Sequence, residues 1–147
     1  HYTGWGVPVL PDQLPDHLPP YPGPLAGFLT GLTHCRTPWL LTVPCDSPFF
    51  PLDLAQRLAA CAHTHHARLV LAAAPDATGQ LRPQPTFALL HRSLAPSLAD
   101  FLQQGGHKIG QWAQEQGRIL CPFDQATDHP LRSFVNINTL AELQTLE

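Results

Sequence analysis

Short apolar runs alternate with helical patterns along this chain, and this alternation constrains the fold more than any other feature. Runs rich in strand-forming residues lie at residues 39–43, 68–74 and 86–91. Segments with apolar residues at helical spacing lie at residues 25–35, 53–63, 93–104 and 109–116. Because strands alternate with helices, we expect an α/β fold with a mostly parallel sheet and helices on both faces.

The remaining segments give weaker predictions. Residues 7–10 (VPVL) are consistent with an edge strand, and the prolines that follow them exclude a regular helix or a central strand. Residues 39–43 are continuously apolar, which predicts a strand buried on both faces. Residues 76–83 resemble a turn and residues 118–122 a strand. Asn138 or Thr139 is expected to cap a last helix.

Composition limits the classes of protein that this chain can belong to. Its 147 residues suit one domain with a real core, and only 13% of them are charged. The net charge is −3 and the eight Lys and Arg residues are scattered, so no nucleic-acid surface is indicated. No run approaches the ~18 apolar residues of a membrane span. The chain also lacks paired-cysteine zinc spacing and the serine and HExxH motifs of hydrolases.

Asp46 is the first candidate site residue. It follows an apolar run in LLTVPCDSPFFP and is flanked by prolines. One interpretation is a turn or capping aspartate, which Asp-Ser-Pro favours. The other is a Mg²⁺ ligand at the carboxyl end of a strand, where ligands of open α/β sheets bind. Both interpretations are open at this point.

Other polar residues are weaker candidates. Asn136 and Asn138 alternate in FVNINT, so they are either turn and cap residues or an amide pair for a polar ligand. Gly23 and Pro24 precede a helical pattern whose first N–H groups can receive an anion. The histidines at positions 63, 65 and 66 are interpreted as a solvated helix end rather than a metal site.

Four stretches in register resemble the molybdenum cofactor guanylyltransferases. They are YPGPLAG at residues 21–27, PCDSPFFPLDLAQRL at residues 44–58, PQPTFALLHRSL at residues 83–94 and FVNINTLAEL at residues 134–143. In the third, Gln84 replaces a histidine that the family commonly carries. The resemblance extends over nearly the whole chain.

The resemblance implies a three-layer, Rossmann-like nucleotidyltransferase fold. It also implies a cytoplasmic enzyme that joins GMP from GTP to molybdenum-bearing molybdopterin with Mg²⁺ and releases pyrophosphate. The resemblance implies GTP and the molybdenum cofactor as substrates, and molybdoenzyme chaperones or other cofactor-biosynthesis proteins as partners. Neither nucleic acid nor a membrane is implied.

The resemblance also assigns roles to residues. Asp46 corresponds to the metal-binding, catalytic and GTP-contacting aspartate. A second nucleotide-contacting aspartate corresponds to Asp12, with Asp16 as the alternative. Asn136 and Asn138 correspond to the asparagines on the molybdopterin side, and Lys108 to a basic position near the same pocket.

The chain departs from the family pattern at its beginning, where no glycine-rich phosphate loop is recognisable. We therefore expect residues 1–147 to form a single domain, equivalent to the C-terminal three-quarters of the family domain with the N-terminal strands missing, and to be poorly active alone. Two alternatives stay open. One is a cytidylyl- or sugar-phosphate nucleotidyltransferase of the same fold, and the other is a non-catalytic domain that binds cofactor or a partner.

Overall fold

The computed structural model describes residues 6–11, 23–139 and 142–144. The strands are β1 (Trp39–Thr42), β2 (Leu69–Pro75), β3 (Leu81–His91) and β4 (Ile119–Pro122). The helices are α1 (Pro24–His34), α2 (Leu54–His65), α3 (Ala95–Gln103), α4 (Ile109–Glu115) and α5 (Pro130–Ser133). Single 3₁₀ turns lie at Arg92–Leu94 and Ala126–Asp128. The predicted helices and strands between residues 25 and 122 are all present, with bounds that differ by a few residues.

The described strands form one mixed sheet in the order β1-β3-β2-β4. β2 and β4 are parallel, whereas β3 is antiparallel to both β1 and β2. Strands β1, β2 and β4 therefore run in one direction and β3 runs against them. The α/β prediction is confirmed, and β3 is the exception to the expected parallel arrangement.

A tight turn explains the reversed direction of β3. Asp76 accepts hydrogen bonds from the backbone N–H groups of Thr78 (2.9 Å) and Gln80 (3.0 Å), and from Arg82 Nε (2.9 Å). Such a short connection joins antiparallel neighbours, whereas a parallel pair needs a long crossover. The turn is shorter than predicted because β3 already begins at Leu81.

Two sequence expectations about strands were wrong. β1 is only partly buried and Leu41 is 37% exposed, because β1 is an end strand of the described sheet and pairs there with β3 alone. Residues 7–10 form no strand, although they are among the described residues. Pro8 lacks the N–H group that a ladder needs, and the side chains of Val7 and Val9 are exposed.

The hydrophobic core lies on both faces of the sheet. One cluster joins the sheet to α1, α3 and α4, and Trp112 and Leu98 are fully buried in it. The other cluster joins the opposite face to α2 and to Phe123 and Phe134. Helices therefore cover both faces, as predicted. In the described part of the chain, no helix has the length and apolar character needed to cross a membrane.

Candidate active site

A cleft of about 580 Å³ opens between α1 and β1 and continues past the end of β1. Its walls come from α1, β1, β3 and the segment after α5. The lining residues from α1 are Pro24, Gly27, Phe28 and Gly31. Residues 40–46, Thr86 and Asn136 complete the lining. Pro24 and Gly27 belong to the first turn of α1, so the positive end of this helix dipole borders the cleft.

Asp46 lies where the sequence predicted it, just beyond the carboxyl end of β1. It is half-buried, occupies a turn and lines the cleft. Pro44 precedes it and has a fixed φ, which restricts the direction in which the chain leaves the strand. The carboxylate therefore has a defined position at the edge of the sheet.

Thr42, the last residue of β1, is hydrogen-bonded to β3 beside the cleft. Its Oγ1 donates to the carbonyl oxygen of Thr86 (2.9 Å) and accepts from the backbone N–H of Ala88 (3.2 Å). At this point the register of β3 against β2 shifts, from Leu71 opposite Ala88 to Ala72 opposite Gln84. The extra residues form an irregularity that brings Thr86 to the cleft wall.

Asn136 reaches the cleft from a distant part of the sequence. Phe134 is buried and makes edge contacts with Phe87 (4.9 Å between centroids) and Phe123 (5.5 Å). These contacts anchor the segment that follows α5. The backbone N–H of Ile137 then donates to the carbonyl oxygen of Asp46 at 2.7 Å. The structure thus brings Asp46 and Asn136, both proposed from sequence, into one cleft.

Ser47 makes the second link between these two segments. Its hydroxyl donates to Oδ1 of Asn136 at 3.0 Å, and the residue is 1% exposed. The sequence analysis did not single out Ser47, because Asp-Ser-Pro is also an ordinary turn pattern. A hydroxyl directly after the proposed metal ligand was the available signal.

Asn138 has a different environment from Asn136. Its backbone N–H donates to Glu142 Oε2 (2.7 Å), as does the N–H of Thr139 (3.1 Å), while the N–H of Glu142 donates to Thr139 Oγ1 (3.2 Å). The reciprocal bonds between Thr139 and Glu142 are a capping box, which identifies Thr139 as the cap of the helical residues 142–144. Asn138 is exposed and is not among the residues that line the cleft. The predicted asparagine pair does not share this surface.

Of the other predicted residues, only Lys108 is among those that the structure describes. Lys108 is exposed at the N-terminus of α4 and does not line the cleft. Its assigned role stays a prediction. Asp12 and Asp16 lie outside the described residues.

The donor set of the cleft suits a hard cation shared with a substrate. Asp46 is the one carboxylate among the described residues that line it. Within residues 6–11, 23–139 and 142–144, no group of three His, Cys, Asp or Glu side chains could hold a metal ion. The described residues therefore do not supply enough side-chain ligands for a zinc or calcium site. One carboxylate with open space beside it fits Mg²⁺, which keeps waters and takes phosphate oxygens as further ligands.

An ion pair holds the segment after β4 against α2. Arg57 donates to both carboxylate oxygens of Asp128 (2.5 and 3.2 Å) and to the carbonyl oxygen of Pro122 (2.7 Å). Its guanidinium also lies 3.8 Å above the centre of the Phe123 ring. The hydrogen bonds from Arg57 hold the pKa of the buried Asp128 carboxyl below its usual value. The same bonds raise the pKa of Arg57.

The predicted histidine-rich helix end is exposed at the C-terminus of α2. His63 and His66 border a second cleft of about 670 Å³, together with His91 and Trp39. His91 and Trp39 pair at the opposite end of β1 from Asp46. These histidines therefore do not contribute to the cleft at Asp46.

The chain is similar to known nucleotidyltransferases. Residues 1–119 match the model of the MobA-like NTP transferase domain. The chain is 53% identical to a molybdenum cofactor guanylyltransferase of Acidovorax sp. strain JS42, and the match covers 99% of this chain and 69% of the relative. A protein of the same name from Albidiferax ferrireducens is 51% identical over the same shares.

Solved structures support the fold. Molybdopterin-guanine dinucleotide biosynthesis protein A from Archaeoglobus fulgidus superposes with a TM-score of 0.65 at 24% identity, covering 84% of this chain and 60% of that one. A protein from Aquifex aeolicus VF5 superposes with a TM-score of 0.58 at 13% identity, covering 78% of this chain and 56% of that one. Together with the sequence matches, these findings show that the chain belongs to the MobA-like NTP transferase family and, within it, to the molybdenum cofactor guanylyltransferases.

Proposed function

We propose that this protein transfers GMP from GTP to the molybdenum-bearing molybdopterin cofactor and releases pyrophosphate. The observation that carries the proposal is the joint cleft of Asp46 and Asn136 in a chain whose relatives bear the name molybdenum cofactor guanylyltransferase. A carboxylate and an amide face one space bordered by a helix N-terminus. This arrangement suits two phosphate-bearing substrates that meet end to end.

The reaction joins two phosphate groups. The terminal phosphate oxygen of molybdopterin attacks the α-phosphorus of GTP, and the bond from that phosphorus to the bridging oxygen of pyrophosphate breaks. Since the attacking phosphate is already largely ionised near neutral pH, the step needs no general base. Catalysis then depends on positioning the two substrates and on neutralising their charge.

Each part of the cleft has a place in this scheme. The first turn of α1 offers backbone N–H groups and its positive dipole end to phosphate oxygens. Asp46 would hold Mg²⁺, which when bound neutralises the triphosphate and the departing pyrophosphate. Asn136 offers amide donors to the molybdopterin side. Asn138, Lys108 and Asp12 are proposed as further contacts, with Asp16 as the alternative to Asp12.

The proposal includes the setting of the enzyme. We place it in the cytoplasm, with GTP and the molybdenum cofactor as substrates. Molybdoenzyme chaperones and other cofactor-biosynthesis proteins are the proposed protein partners. Guanine is the proposed base because of the relatives' names, while cytosine is the competing choice that the experiment separates.

The test supplies purified protein, expressed from its complete gene because residues 1–147 alone are expected to be poorly active, with molybdenum cofactor, MgCl₂ and one nucleoside triphosphate at a time. Pyrophosphate release is measured, and the dinucleotide product is identified by its mass. We expect product with GTP, little with CTP or ATP, and none after chelation of the metal. Product formed preferentially with CTP would contradict the guanine assignment. Binding of cofactor without any turnover would instead support a non-catalytic carrier.

A further inference from the structure

Ser47 is a buried polar residue whose hydroxyl has one specific partner. The side chain is 1% exposed, and its Oγ donates to Oδ1 of Asn136 at 3.0 Å. A buried hydroxyl without a partner is costly, so this bond strongly favours one arrangement of the two side chains. Ser47 itself is not among the residues that line the cleft, whereas Asn136 is.

This hydrogen bond determines how Asn136 presents its amide. The group carries an acceptor oxygen and a donor NH₂ on the same planar carbon. When Ser47 engages the oxygen, rotation of the amide about its last torsion is arrested. The direction of the NH₂ group is then set as well. Asn136 is exposed at the cleft, so its NH₂ group points in one fixed direction there. Without the bond, the amide could rotate by half a turn and exchange the positions of its oxygen and its NH₂ group.

The backbone adds a second bond between the same two segments. The N–H of Ile137 donates to the carbonyl oxygen of Asp46 at 2.7 Å. The turn at residues 46–47 is therefore hydrogen-bonded to residues 136–137 at two neighbouring positions. Asp46 is bonded to Ile137, and Ser47 is bonded to Asn136. The backbone bond keeps the Asp46 turn in place when the side-chain bond is removed, while the two bonds together limit local opening of the Asn136 segment.

We propose that Ser47 is a positioning residue that fixes the Asn136 amide for an acceptor oxygen of the phosphate-bearing pterin substrate. Ser47 does not touch the substrate in this assignment and acts through Asn136. The inference rests on the proposed function, because it takes Asn136 to lie on the molybdopterin side of the cleft. It adds that affinity for this substrate depends on a hydroxyl outside the substrate's reach.

The central experiment compares Ser47→Ala with Ser47→Thr, which keeps the hydroxyl. We expect Ser47→Ala to raise the KM for molybdenum cofactor about ten-fold, the effect of one lost polar contact. The KM for GTP and kcat should change less than about two-fold. Ser47→Thr should restore the cofactor KM to near the wild-type value. Thermal unfolding of each variant shows whether it is folded.

A double-mutant cycle tests whether Ser47 acts through Asn136. In an Asn136→Ala background the partner is already absent, so adding Ser47→Ala should raise the cofactor KM little further. Additive effects of the two substitutions would overturn the proposal. So would a Ser47→Ala enzyme with an unchanged cofactor KM, or one in which both KM values and kcat worsen together.

Hydrogen exchange supplies a readout that does not need turnover. In Ser47→Ala the amide of Ile137 should exchange faster, while the amide of Leu71 in the central strand β2 should keep its protection. Unchanged exchange at Ile137 would overturn the proposed coupling, whatever the enzyme's activity. If the wild-type protein forms no dinucleotide at all, the proposed function fails, and direct cofactor binding by wild type and Ser47→Ala then decides the role of Ser47.

Discussion

The guanidinium of Arg57 donates to both carboxylate oxygens of Asp128, at 2.5 and 3.2 Å, and bridges helix α2 to the segment that follows β4. Asp128 is only 7% exposed. The hydrogen bonds from Arg57 therefore offset the cost of burying the negative charge of Asp128. The same segment continues to Phe134 and Asn136, so this ion pair supports one wall of the cleft from behind.

Arg57→Ala should destabilise the protein by about 2–4 kcal/mol, because it leaves a buried carboxylate without its partner. It also removes the cation that covers Phe123. Chemical denaturation measures the change. Arg82→Ala is the matched control, since its ion pair with Asp76 is at the surface and should matter much less. Equal losses in the two variants would contradict the structural role of Arg57.

The stability contributed by Asp128 should depend on pH with a defined sign. Hydrogen bonds from Arg57 keep its folded-state pKa below the ordinary value. Its contribution is therefore fully present above the unfolded pKa of about 4 and is lost as pH falls through the folded pKa. The difference in unfolding free energy between wild type and Asp128→Asn should be constant from about pH 7 to 5 and should shrink below about pH 4. A difference that grows on acidification would contradict this assignment.

Asp46→Asn should lower kcat/KM for GTP by about 10²–10³-fold while leaving the fold intact. The carbonyl oxygen of Asp46, not its carboxylate, accepts the bond from Ile137, so the substitution keeps that contact. Steady-state kinetics at varied Mg²⁺ and thermal unfolding measure the two effects. Asp100→Asn on the exposed side of α3 is the control. Wild-type activity in Asp46→Asn would identify Asp46 as a turn residue only.

Two glycines of α1 should respond differently to alanine. A Cβ at Gly27 meets no atom within 4 Å, whereas one at Gly31 would lie 2.8 Å from Cδ2 of Leu40. Gly27→Ala should therefore gain up to about 1 kcal/mol of helix stability, and Gly31→Ala should gain less or lose.

Both glycines line the cleft, so Gly27→Ala should also raise the KM for GTP by adding a methyl group beside the first turn of α1. Denaturation curves and kinetics on the same samples separate the two effects. A stabilised Gly27→Ala enzyme with unaltered KM would show that the triphosphate lies elsewhere.

The cysteines should differ in reactivity toward thiol reagents. Burial, together with the neighbouring Cys61 thiol, raises the pKa of Cys121 to about 12. Cys121 should therefore stay unmodified at pH 8, while the exposed Cys45 reacts first. Mass spectrometry after timed labelling identifies the sites, and denatured protein, in which all four cysteines react, is the control. Rapid modification of Cys121 in the folded protein would contradict its burial.

The sequence pattern correctly predicted those helices and strands whose buried faces are indicated by the spacing of their own apolar residues. The apolar spacing in α1 predicts one buried face, the continuous apolar run of β2 predicts burial on both faces, and both elements formed as expected. β1 was mispredicted because its burial depends on which strands lie beside it, and an apolar run does not contain that information. β3 was predicted too short because Pro83 and Pro85 resemble a loop, although the irregular pairing with β2 accommodates them.

The candidate site likewise contains residues that local pattern predicts and residues that only a tertiary contact identifies. Asp46 was identifiable because it lies a few residues after a strand and is flanked by prolines. Asn136 was one of two equivalent asparagines, and its tertiary contact with Ser47 and its place in the cleft lining distinguish it from Asn138. That contact joins segments far apart in the sequence, so no local pattern could reveal it.

The tie between Asp46 and Ile137 has a consequence for synthesis on the ribosome. Contacts between distant residues form late, because the chain between them must first be made and ordered. A nascent chain therefore carries the aspartate turn long before the asparagine segment leaves the exit tunnel. Until then the cleft lacks the wall that carries Asn136, so binding of the proposed pterin substrate cannot assist the earlier steps of folding.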